Sequence, residues 1–275
     1  MTGRLEGRVA IITGSSQGLG QYCALGYAKE GAKIAVVART DDKFPGTIYH
    51  TADLINSSGG DALPIDCNVA NEESIKQMTQ QVLARWGRVD ILINNAAINP
   101  PGANADIQEK HWKLIYSVNV HGPFYCTRAV LPAMLEQQQG NIINISSGGA
   151  SWGTPYGGTK RAVEAMTEGF GAELHTRGVA VNALKPVGLI ETPGSLFAYG
   201  TPTDSDGSMP DLSPPDSYVE ASVLLACQTP EIYTGQVNND AEVIANLADD
   251  ETKQRFRQLN PDYWVAAMDG LDWPA

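Results

Sequence analysis

Short apolar runs alternate with longer segments of helical character along this chain. Several runs are continuously apolar, as in Val9–Ile12 and Ile91–Ile93, which is typical of strands covered on both faces. The pattern predicts strands at Arg8–Thr13, Lys33–Ala38, Asp61–Ile65, Val89–Asn94, Asn141–Ser146, Ala180–Leu184 and Gly235–Asn238. It predicts helices at Leu19–Glu30, Gly46–Ser57, Glu72–Trp86, Gln108–Glu136, Tyr156–Thr176 and Pro215–Gln228.

This alternation predicts the fold class. Strands separated by helices form parallel sheets, because a helical crossover returns the chain to the end of the sheet at which the previous strand began. Right-handed crossovers then place helices on both faces. We therefore predict an α/β, Rossmann-type doubly wound parallel β-sheet of about seven strands, with a ligand crevice at the carboxyl ends of the strands.

The chain is expected to form one domain over residues 1–248, followed by a C-terminal extension, 249–275. Within the domain, residues 193–216 are rich in Pro, Gly, Ser and Asp and predict a long irregular loop. Such a loop is either a lid over a site or a surface insertion. The extension ends in the aromatic residues Tyr263, Trp264 and Trp273, which we expect to dock on their own subunit or on a neighbouring one.

Composition and charge exclude several classes of function. The net charge of -12 repels phosphate backbones and anionic lipid, so we expect neither nucleic acid nor membrane as a partner. No apolar stretch approaches the about 20 residues of a membrane span or forms a signal-peptide core, and we expect a cytoplasmic protein. The four cysteines and four histidines show no metal-ligand or disulfide spacing, so no metal site is expected.

A glycine-rich turn, Gly14-Ser15-Ser16-Gln17-Gly18-Leu19-Gly20, connects the first predicted strand to the first predicted helix. Glycines permit a tight turn and close approach of a pyrophosphate, and the helix N-terminus supplies free N–H groups. The strand before the turn and the helix after it favour a dinucleotide site over a turn that binds nothing.

The end of the second strand bears on which dinucleotide is bound. An acidic residue there would bind the ribose hydroxyls of NAD, whereas an arginine accommodates the 2′-phosphate of NADP. Here Ala38 stands at that position and Arg39 follows it. We predict a preference for NADP(H) over NAD(H); the alternative is a surface arginine that caps the loop. The polar stretch 41–46 either closes over the 2′-phosphate or is a plain surface loop.

Tyr156 and Lys160 are four positions apart at the start of a predicted helix and therefore lie on one face of it. A nearby ammonium favours the phenolate and lowers the pKa of a tyrosine from about 10 toward working pH. The phenol then becomes a competent general acid and base for a carbonyl/alcohol pair. This spacing alone is common, and its surroundings give it meaning.

Those surroundings comprise Ser146-Ser147 at the end of an apolar strand, Asn94-Asn95-Ala96-Ala97 after another strand, and Asn119 between them. Together with the glycine turn, and in this order, the motifs resemble the short-chain dehydrogenase/reductase family over about residues 7–243. The resemblance implies that Asn119, Ser147, Tyr156 and Lys160 are the catalytic residues. Tyr156 would donate the proton in reduction, Ser147 would polarise the substrate oxygen, Lys160 would hold the nicotinamide ribose, and Asn119 would anchor a relay water.

The resemblance also implies a set of cofactor contacts. The glycine turn would contribute Gly14, Ser16, Gln17, Gly18, Leu19 and Gly20, and Tyr156 and Lys160 would also contact the cofactor. Asn68 and Val69 fall where the family contacts adenine, although the family usually has Asp in place of Asn68. Asn95 and Ala96 would lie beside the ribose and support the central strand. The segment 186–192 resembles the family's Pro-Gly-x-Val-x-Thr turn with one extra residue, and would contribute Pro186, Leu189, Ile190 and Thr192.

The segment between Ser147 and Tyr156 is shorter than the family usually has. We place a deletion in residues 148–155 and keep Ser147 as the oxygen-polarising residue, with Ser146 and Ser151 as alternatives. The shorter segment is expected to reshape the substrate pocket.

Two functions from different classes remain. The first is an NADP(H)-dependent oxidoreductase that interconverts a ketone or aldehyde and an alcohol by hydride transfer. The second is a non-catalytic dinucleotide-binding sensor or scaffold on the same fold. A dehydratase or epimerase has no dedicated residues in the sequence. The resemblance also implies a homotetramer or homodimer, with the long helices at 108–136 and 156–176 at the interface.

Overall fold

The computed structural model describes residues 3–40, 47–192, 195 and 212–259. The insertion at 41–46, most of the segment 193–216 and the aromatic residues of the C-terminal tail lie outside the described residues. The predicted doubly wound α/β fold is confirmed: a parallel sheet of seven strands carries helices on both faces.

The strands of this sheet lie in the order β3-β2-β1-β4-β5-β6-β9, and each neighbouring pair is parallel. Their bounds are β1 Val9–Thr13, β2 Lys33–Ala38, β3 Asp61–Asp66, β4 Ile91–Asn94, β5 Gly140–Ile145, β6 Val179–Lys185 and β9 Val237–Asn239. The order reverses between β1 and β4, and ligands of such sheets bind outside the carboxyl ends of the strands at this point. The turns after β1, β4, β5 and β6 therefore border one crevice.

Nine helices cover the sheet within the described residues. They are α1 Gly18–Lys29, α2 Ile48–Ser57, α3 Glu72–Trp86, α4 Glu109–Tyr116, α5 Gly122–Gln137, α6 Pro155–Leu174, α7 Asp216–Ala226, α8 Asp240–Leu247 and α9 Asp250–Leu259. Helices α1, α2, α7, α8 and α9 share a core with one face of the sheet, and α3, α5 and α6 share a core with the other. Within the described residues, no helix is both long and apolar enough to cross a membrane.

Burial on both faces explains the continuously apolar strands. Successive side chains of a strand point to opposite faces. In β1, Val9 and Ile11 join the core beneath α3 and α5, whereas Ala10 and Ile12 join the core beneath α1 and α7. All four side chains are fully buried, so neither set of positions tolerates polar residues.

The structure corrects one predicted helix and adds two helices that the sequence pattern did not predict. The single helix expected at 108–136 is interrupted by a π-helical turn, Ser117–His121, which separates α4 from α5. Helix α8 was missed: Asn239 begins it, and Asn239 and Glu242 form a capping box. The C-terminal extension begins with α9, whose Phe256 is buried in the core, because an amphipathic helix follows Ala248 where the sequence suggested only a polar segment.

A short second sheet joins the two ends of the segment that follows β6. Strand β7, Leu189–Ile190, pairs with β8, Leu212–Ser213, in parallel register. The backbone N–H of Glu191 also donates to the carbonyl of Ser213 at 3.3 Å. The two strands that border residues 191–211 therefore lie side by side.

Candidate active site

The glycine turn after β1 leaves no space for side chains. A Cβ on Gly20 would lie 2.4 Å from the Gly14 carbonyl oxygen, and a Cβ on Gly14 would lie 2.8 Å from the Ala96 Cα. Gly14 and Gly18 also have positive φ angles of 67° and 60°, which favour glycine. The turn thus brings its backbone against the start of α1, as a pyrophosphate site at a helix N-terminus requires.

Asn95 holds this turn from the neighbouring strand. Its Nδ2 donates to the carbonyl oxygens of Thr13 (2.9 Å) and Gly14 (3.1 Å). The Thr13 hydroxyl accepts from the backbone N–H groups of Asn95 (3.0 Å) and Ala96 (3.1 Å). Asn95 and Ala96 therefore lie at the β1–β4 switch point and support the glycine turn. Their expected position beside the cofactor ribose stays a prediction.

The other residues of the turn test whether a dinucleotide fits. The buried Oε1 of Gln17 has no hydrogen-bond partner, and a buried polar atom of this kind calls for a ligand or water. Ser16 lies under α2, where its carbonyl is 3.5 Å from the Thr51 hydroxyl. Leu19 packs against the core and anchors α1. The close backbone approach at Gly14 and Gly20 and the unpartnered Gln17 Oε1 are compatible with a phosphate-bearing ligand in this turn.

Arg39 is exposed and directly follows β2, whose last residue, Ala38, pairs with Asp66 at the end of β3. The nearby carboxylate of Asp66 accepts from the Thr40 backbone N–H (3.0 Å) and hydroxyl (2.8 Å). Among the described residues, no ion pair includes Arg39. Its guanidinium is therefore not committed to Asp66.

Asn68 and Val69 follow β3 at the same edge of the crevice. The Asn68 side chain is exposed, and its Oδ1 accepts from the backbone N–H of Ala70 at 3.1 Å. Val69 is buried and contacts Gly122 at the start of α5, where a Cβ would lie 3.2 Å from it. Val69 is thus held in the core, and the neighbouring Asn68 amide is exposed to the crevice side of the sheet.

The three candidate serines lie in different surroundings. The Ser146 hydroxyl is buried and donates to Glu164 Oε1 at 2.8 Å. The exposed Ser151 hydroxyl donates to the Gly148 carbonyl. Ser147 lies at the carboxyl end of β5, half-buried, and its Oγ accepts from the Gly149 N–H at 3.1 Å. Within the part of the chain that the structure describes, Ser147 is thus the one of these three serines whose hydroxyl donates to no protein group.

Tyr156 and Lys160 lie on the first turns of α6, which Thr154 caps by accepting from the Gly157 N–H at 3.0 Å. The Lys160 Nζ lies 5.6 Å from the centre of the Tyr156 ring and donates to the Ile145 carbonyl at 2.7 Å. Burial lowers the pKa of Lys160 to about 8, because the buried ammonium is poorly solvated. A cation is therefore held beside the phenol at the end of β5.

Asn119 lies in the π-helical turn and is connected to Tyr156 through Thr159. Its Oδ1 accepts from the Ile98 N–H and its Nδ2 donates to the Ile98 carbonyl, both at 2.9 Å. The same Nδ2 donates to the Thr159 hydroxyl at 3.1 Å, which donates to the Tyr156 carbonyl at 2.7 Å. Since the side chain is committed to these contacts, any water at this residue would bind its backbone; π-helical turns are frequent at functional sites.

The turn after β6 reaches back to the glycine turn. Within segment 186–192, the Val187 N–H donates to Asp240 Oδ1 at 2.8 Å, and the Ser217 hydroxyl donates to Asp240 Oδ2 at 2.8 Å. The Cβ of Thr192 lies 3.5 Å from where a Cβ on Gly18 would lie. The segment 186–192, which begins at Pro186 and contains β7, therefore meets the glycine turn in the structure.

Several residues that shape this site have no motif in the sequence. Glu164 and Asp240 are buried carboxylates, and Thr13 and Thr159 are buried hydroxyls that connect separate segments. Glu164 could have been predicted from the sequence, since an acidic residue four positions after Lys160 lies on the same helix face. The role of Asp240 could not have been predicted, because its partners Val187 and Ser217 lie far away in sequence. No cluster of metal-ligating side chains occurs in the part of the chain that the structure describes.

Comparison with known proteins agrees with this geometry. Residues 8–195 match the family model for short chain dehydrogenases. The BbsD subunit of a hydroxy(phenyl)methyl-succinyl-CoA dehydrogenase of Thauera aromatica is 32% identical over 255 residues, covering 84% of this chain and 99% of that protein. The 3-oxoacyl-acyl-carrier-protein reductase FabG of Thermotoga maritima is 34% identical over 194 residues, covering 69% of this chain and 77% of that protein.

Among solved structures, a variant of the actinorhodin polyketide ketoreductase with NADPH superposes with a TM-score of 0.76 at 28% identity, covering 87% of this chain and 97% of that one. A glycine turn, a Tyr-x-x-x-Lys helix and a seven-stranded parallel sheet occur in one arrangement, and the family model spans most of it. This chain belongs to the short-chain dehydrogenase/reductase family of oxidoreductases.

Proposed function

We propose that this protein is an NADP(H)-dependent oxidoreductase that interconverts a ketone or aldehyde and an alcohol. One observation carries the proposal: the buried Lys160 ammonium lies against the Tyr156 ring at the carboxyl end of β5. A cation in this place favours the phenolate, so the phenol can give up its proton to an oxygen in the crevice.

The roles of the residues follow from their contacts. Tyr156 donates a proton to the substrate oxygen in reduction and takes it back in oxidation. Ser147 donates a hydrogen bond to the same oxygen, because Ser146 is committed to Glu164. Lys160 holds positive charge beside the phenol, and Asn119 fixes the π-helical turn and, through Thr159, the backbone of Tyr156. Bound NADPH would supply the hydride.

The proposed cofactor site comprises the glycine turn, the ends of β2 and β3, and the turn after β6. The residues concerned are Gly14, Ser16, Gln17, Gly18, Leu19, Gly20, Arg39, Asn68, Val69, Asn95, Ala96, Pro186, Leu189, Ile190 and Thr192. Preference for NADP rests on the exposed Arg39, which forms no ion pair within the described residues, and on Ala38, which places no carboxylate at the end of β2 for ribose hydroxyls. The structural relative solved with NADPH supports the same choice.

A screen of NADPH oxidation against a panel of ketones and aldehydes, repeated with NADH, tests the reaction class. Tyr156→Phe should still bind NADPH but lose on the order of 100-fold or more in kcat, because the proton donor is gone. Tyr49→Phe is the matched control, since Tyr49 is exposed on α2 and away from Lys160. If the wild type binds NADPH but reduces none of the panel, the sensor or scaffold function replaces the enzyme.

Arg39→Asp tests the cofactor choice separately. Replacing the guanidinium by a carboxylate repels the 2′-phosphate and offers an acceptor to ribose hydroxyls. We expect Kd for NADPH to rise by about tenfold or more and Kd for NADH to rise little or fall. Unchanged affinity for NADPH would rule out Arg39 as the phosphate ligand.

We also propose that the chain assembles as a homodimer or homotetramer through α4, α5 and α6. Phe124 on α5 stacks on Phe170 of α6 with ring centres 6.2 Å apart, yet it remains 38% exposed. A partly exposed aromatic pair on two long neighbouring helices suits an interface. Light scattering should give a molecular mass of two or four chains for the wild type. The Phe124→Glu variant should have the mass of a single chain.

A further inference from the structure

The short segment between Ser147 and Tyr156 displays a large aromatic side chain. Trp152 is 60% exposed, and it follows a single 3₁₀ turn, Gly148–Ser151. Water contact with most of an indole forgoes the stabilisation that its burial would give. Whether a substrate could cover this ring depends on how close it lies to Ser147 and Tyr156.

The Trp152 ring lies close to the Ser147 hydroxyl. A Cβ on Gly149 would lie 3.4 Å from Ser147 Oγ and 3.4 Å from Cε3 of Trp152. The hydroxyl and the edge of the indole are therefore no more than twice that distance apart. A carbonyl group held by Ser147 would have its nearest substituent within reach of the ring.

The backbone beneath this ring is held firmly. The Trp152 N–H donates to the Gly149 carbonyl and the Ala150 N–H to the Ser147 carbonyl, both at 3.0 Å. Asn104, in the segment between β4 and α4, donates through Nδ2 to the Gly153 carbonyl. A platform fixed in this way loses little conformational entropy when a ligand covers it.

The same segment carries no charge. Residues 146–159 include no Asp, Glu, Lys, Arg or His. A neutral aromatic surface beside a polar hydroxyl suits a ligand with a flat, uncharged ring next to its oxygen, because offset stacking requires a planar partner.

We propose that Trp152 is a specificity-determining residue that stacks on an aryl group adjacent to the reacting carbon, so that the substrates are aryl ketones and the corresponding benzylic alcohols. This proposal rests on the proposed function, because it assigns the reacting oxygen to Ser147 and Tyr156.

The test compares acetophenone with cyclohexyl methyl ketone, which is of similar size but not planar. The wild type should favour acetophenone in kcat/KM, and Trp152→Leu should reduce that preference by about 3- to 10-fold. Trp152→Phe should restore most of it. Trp112→Leu is the matched control, since Trp112 is also an exposed tryptophan but lies on α4, where its ring is tilted by 41° against that of Tyr116.

Quenching of tryptophan fluorescence by acetophenone, measured with NADP⁺ bound, makes the test independent of turnover. Quenching that is lost in Trp152→Leu supports the subsite even if no ketone is reduced, in which case only the proposed reaction fails. An equal ketone preference in wild type and Trp152→Leu overturns the subsite. A change of oligomer mass in Trp152→Leu also overturns it, because the ring would then serve an interface.

Discussion

The Ser146 hydroxyl donates a 2.8 Å hydrogen bond to the carboxylate of Glu164, which is 1% exposed. Arg161 donates to the other oxygen of this carboxylate at 2.8 Å, and the Lys185 Nζ lies 3.9 Å from the first. Glu164 thereby joins α6 to the ends of β5 and β6, which precede Ser147 and Pro186 in the chain.

Glu164→Leu should therefore lower both stability and turnover. It leaves the buried Ser146 hydroxyl without its acceptor, so we expect the free energy of unfolding to fall by about 2–4 kcal/mol. Glu164→Gln keeps an acceptor for Ser146 and should recover most of kcat. Urea denaturation and steady-state kinetics measure both quantities.

The control for this pair is Glu73→Leu, because Glu73 is exposed and its ion pair with Lys76 is 4.0 Å long. Exposed pairs contribute about 0–1 kcal/mol, so little change is expected. Equal losses in the Glu73 and Glu164 variants would show that Glu164 has no special role.

Gly157→Ala should be strongly disruptive. A Cβ there would lie 2.4 Å from the Gly149 carbonyl oxygen, so the 3₁₀ turn must move away from α6. We expect a loss of about 1–3 kcal/mol in the free energy of unfolding and a fall in kcat, because Ser147 precedes this turn. Thermal melting and turnover of the best ketone substrate are the measurements.

The neighbouring Gly158 gives a direct comparison. Among the described residues, a Cβ on Gly158 would meet only the Tyr116 hydroxyl, at 3.6 Å, which is ordinary contact. Gly158→Ala should be neutral or stabilising by up to about 1 kcal/mol, because alanine favours helix. If the two substitutions have the same effect, the close approach of Gly149 and α6 is not what constrains position 157.

Asn95→Asp should weaken cofactor binding. The change removes two N–H donors and places a carboxylate against the carbonyl oxygens of Thr13 and Gly14. We expect Kd for NADPH to rise by at least about tenfold, since the glycine turn loses its support. Fluorescence titration of NADPH measures it.

Asn71→Asp is the matched substitution, because Asn71 caps α3 by accepting from the Ser74 N–H, and aspartate caps equally well. It should leave Kd for NADPH unchanged. An Asn95→Asp variant that binds NADPH as tightly as Asn71→Asp would contradict the role given to Asn95.

Lys160 should make stability depend on pH. Burial lowers the pKa of Lys160 from 10.5 to about 8. Between these values the unfolded chain holds more protons at this residue than the folded chain, so the penalty for burying the charge, complete at neutral pH, fades as pH rises. From pH 7 to 10, the wild type should gain about 2–3 kcal/mol in free energy of unfolding relative to Lys160→Met.

Urea denaturation of the two proteins at several pH values checks this, with Lys76→Met, a change at an exposed lysine, as the reference. A Lys160→Met difference that stays constant from pH 7 to 10 would mean that the buried ammonium keeps its proton throughout. Lys160→Met should also lose turnover at every pH, because the phenol loses its neighbouring cation.

The sequence alone determined the architecture and the outline of the site. Continuous apolar runs between amphipathic segments indicate a parallel sheet covered on both faces, because each strand must bury both sets of side chains. The glycine turn and the pair Tyr156 and Lys160 could be predicted because each motif is local, and Asn119 could be predicted from the family resemblance. The strand order brings the ends of β1, β4 and β5 together.

Only the tertiary structure decided how these motifs are supported. The commitment of the Ser146 hydroxyl depends on Glu164, which lies 18 residues beyond Ser146 on another element. The position of the turn after β6 depends on Asp240, 53 residues beyond Val187. Such contacts form between distant segments and leave no periodicity or spacing to read, because they depend on packing rather than on local backbone preference.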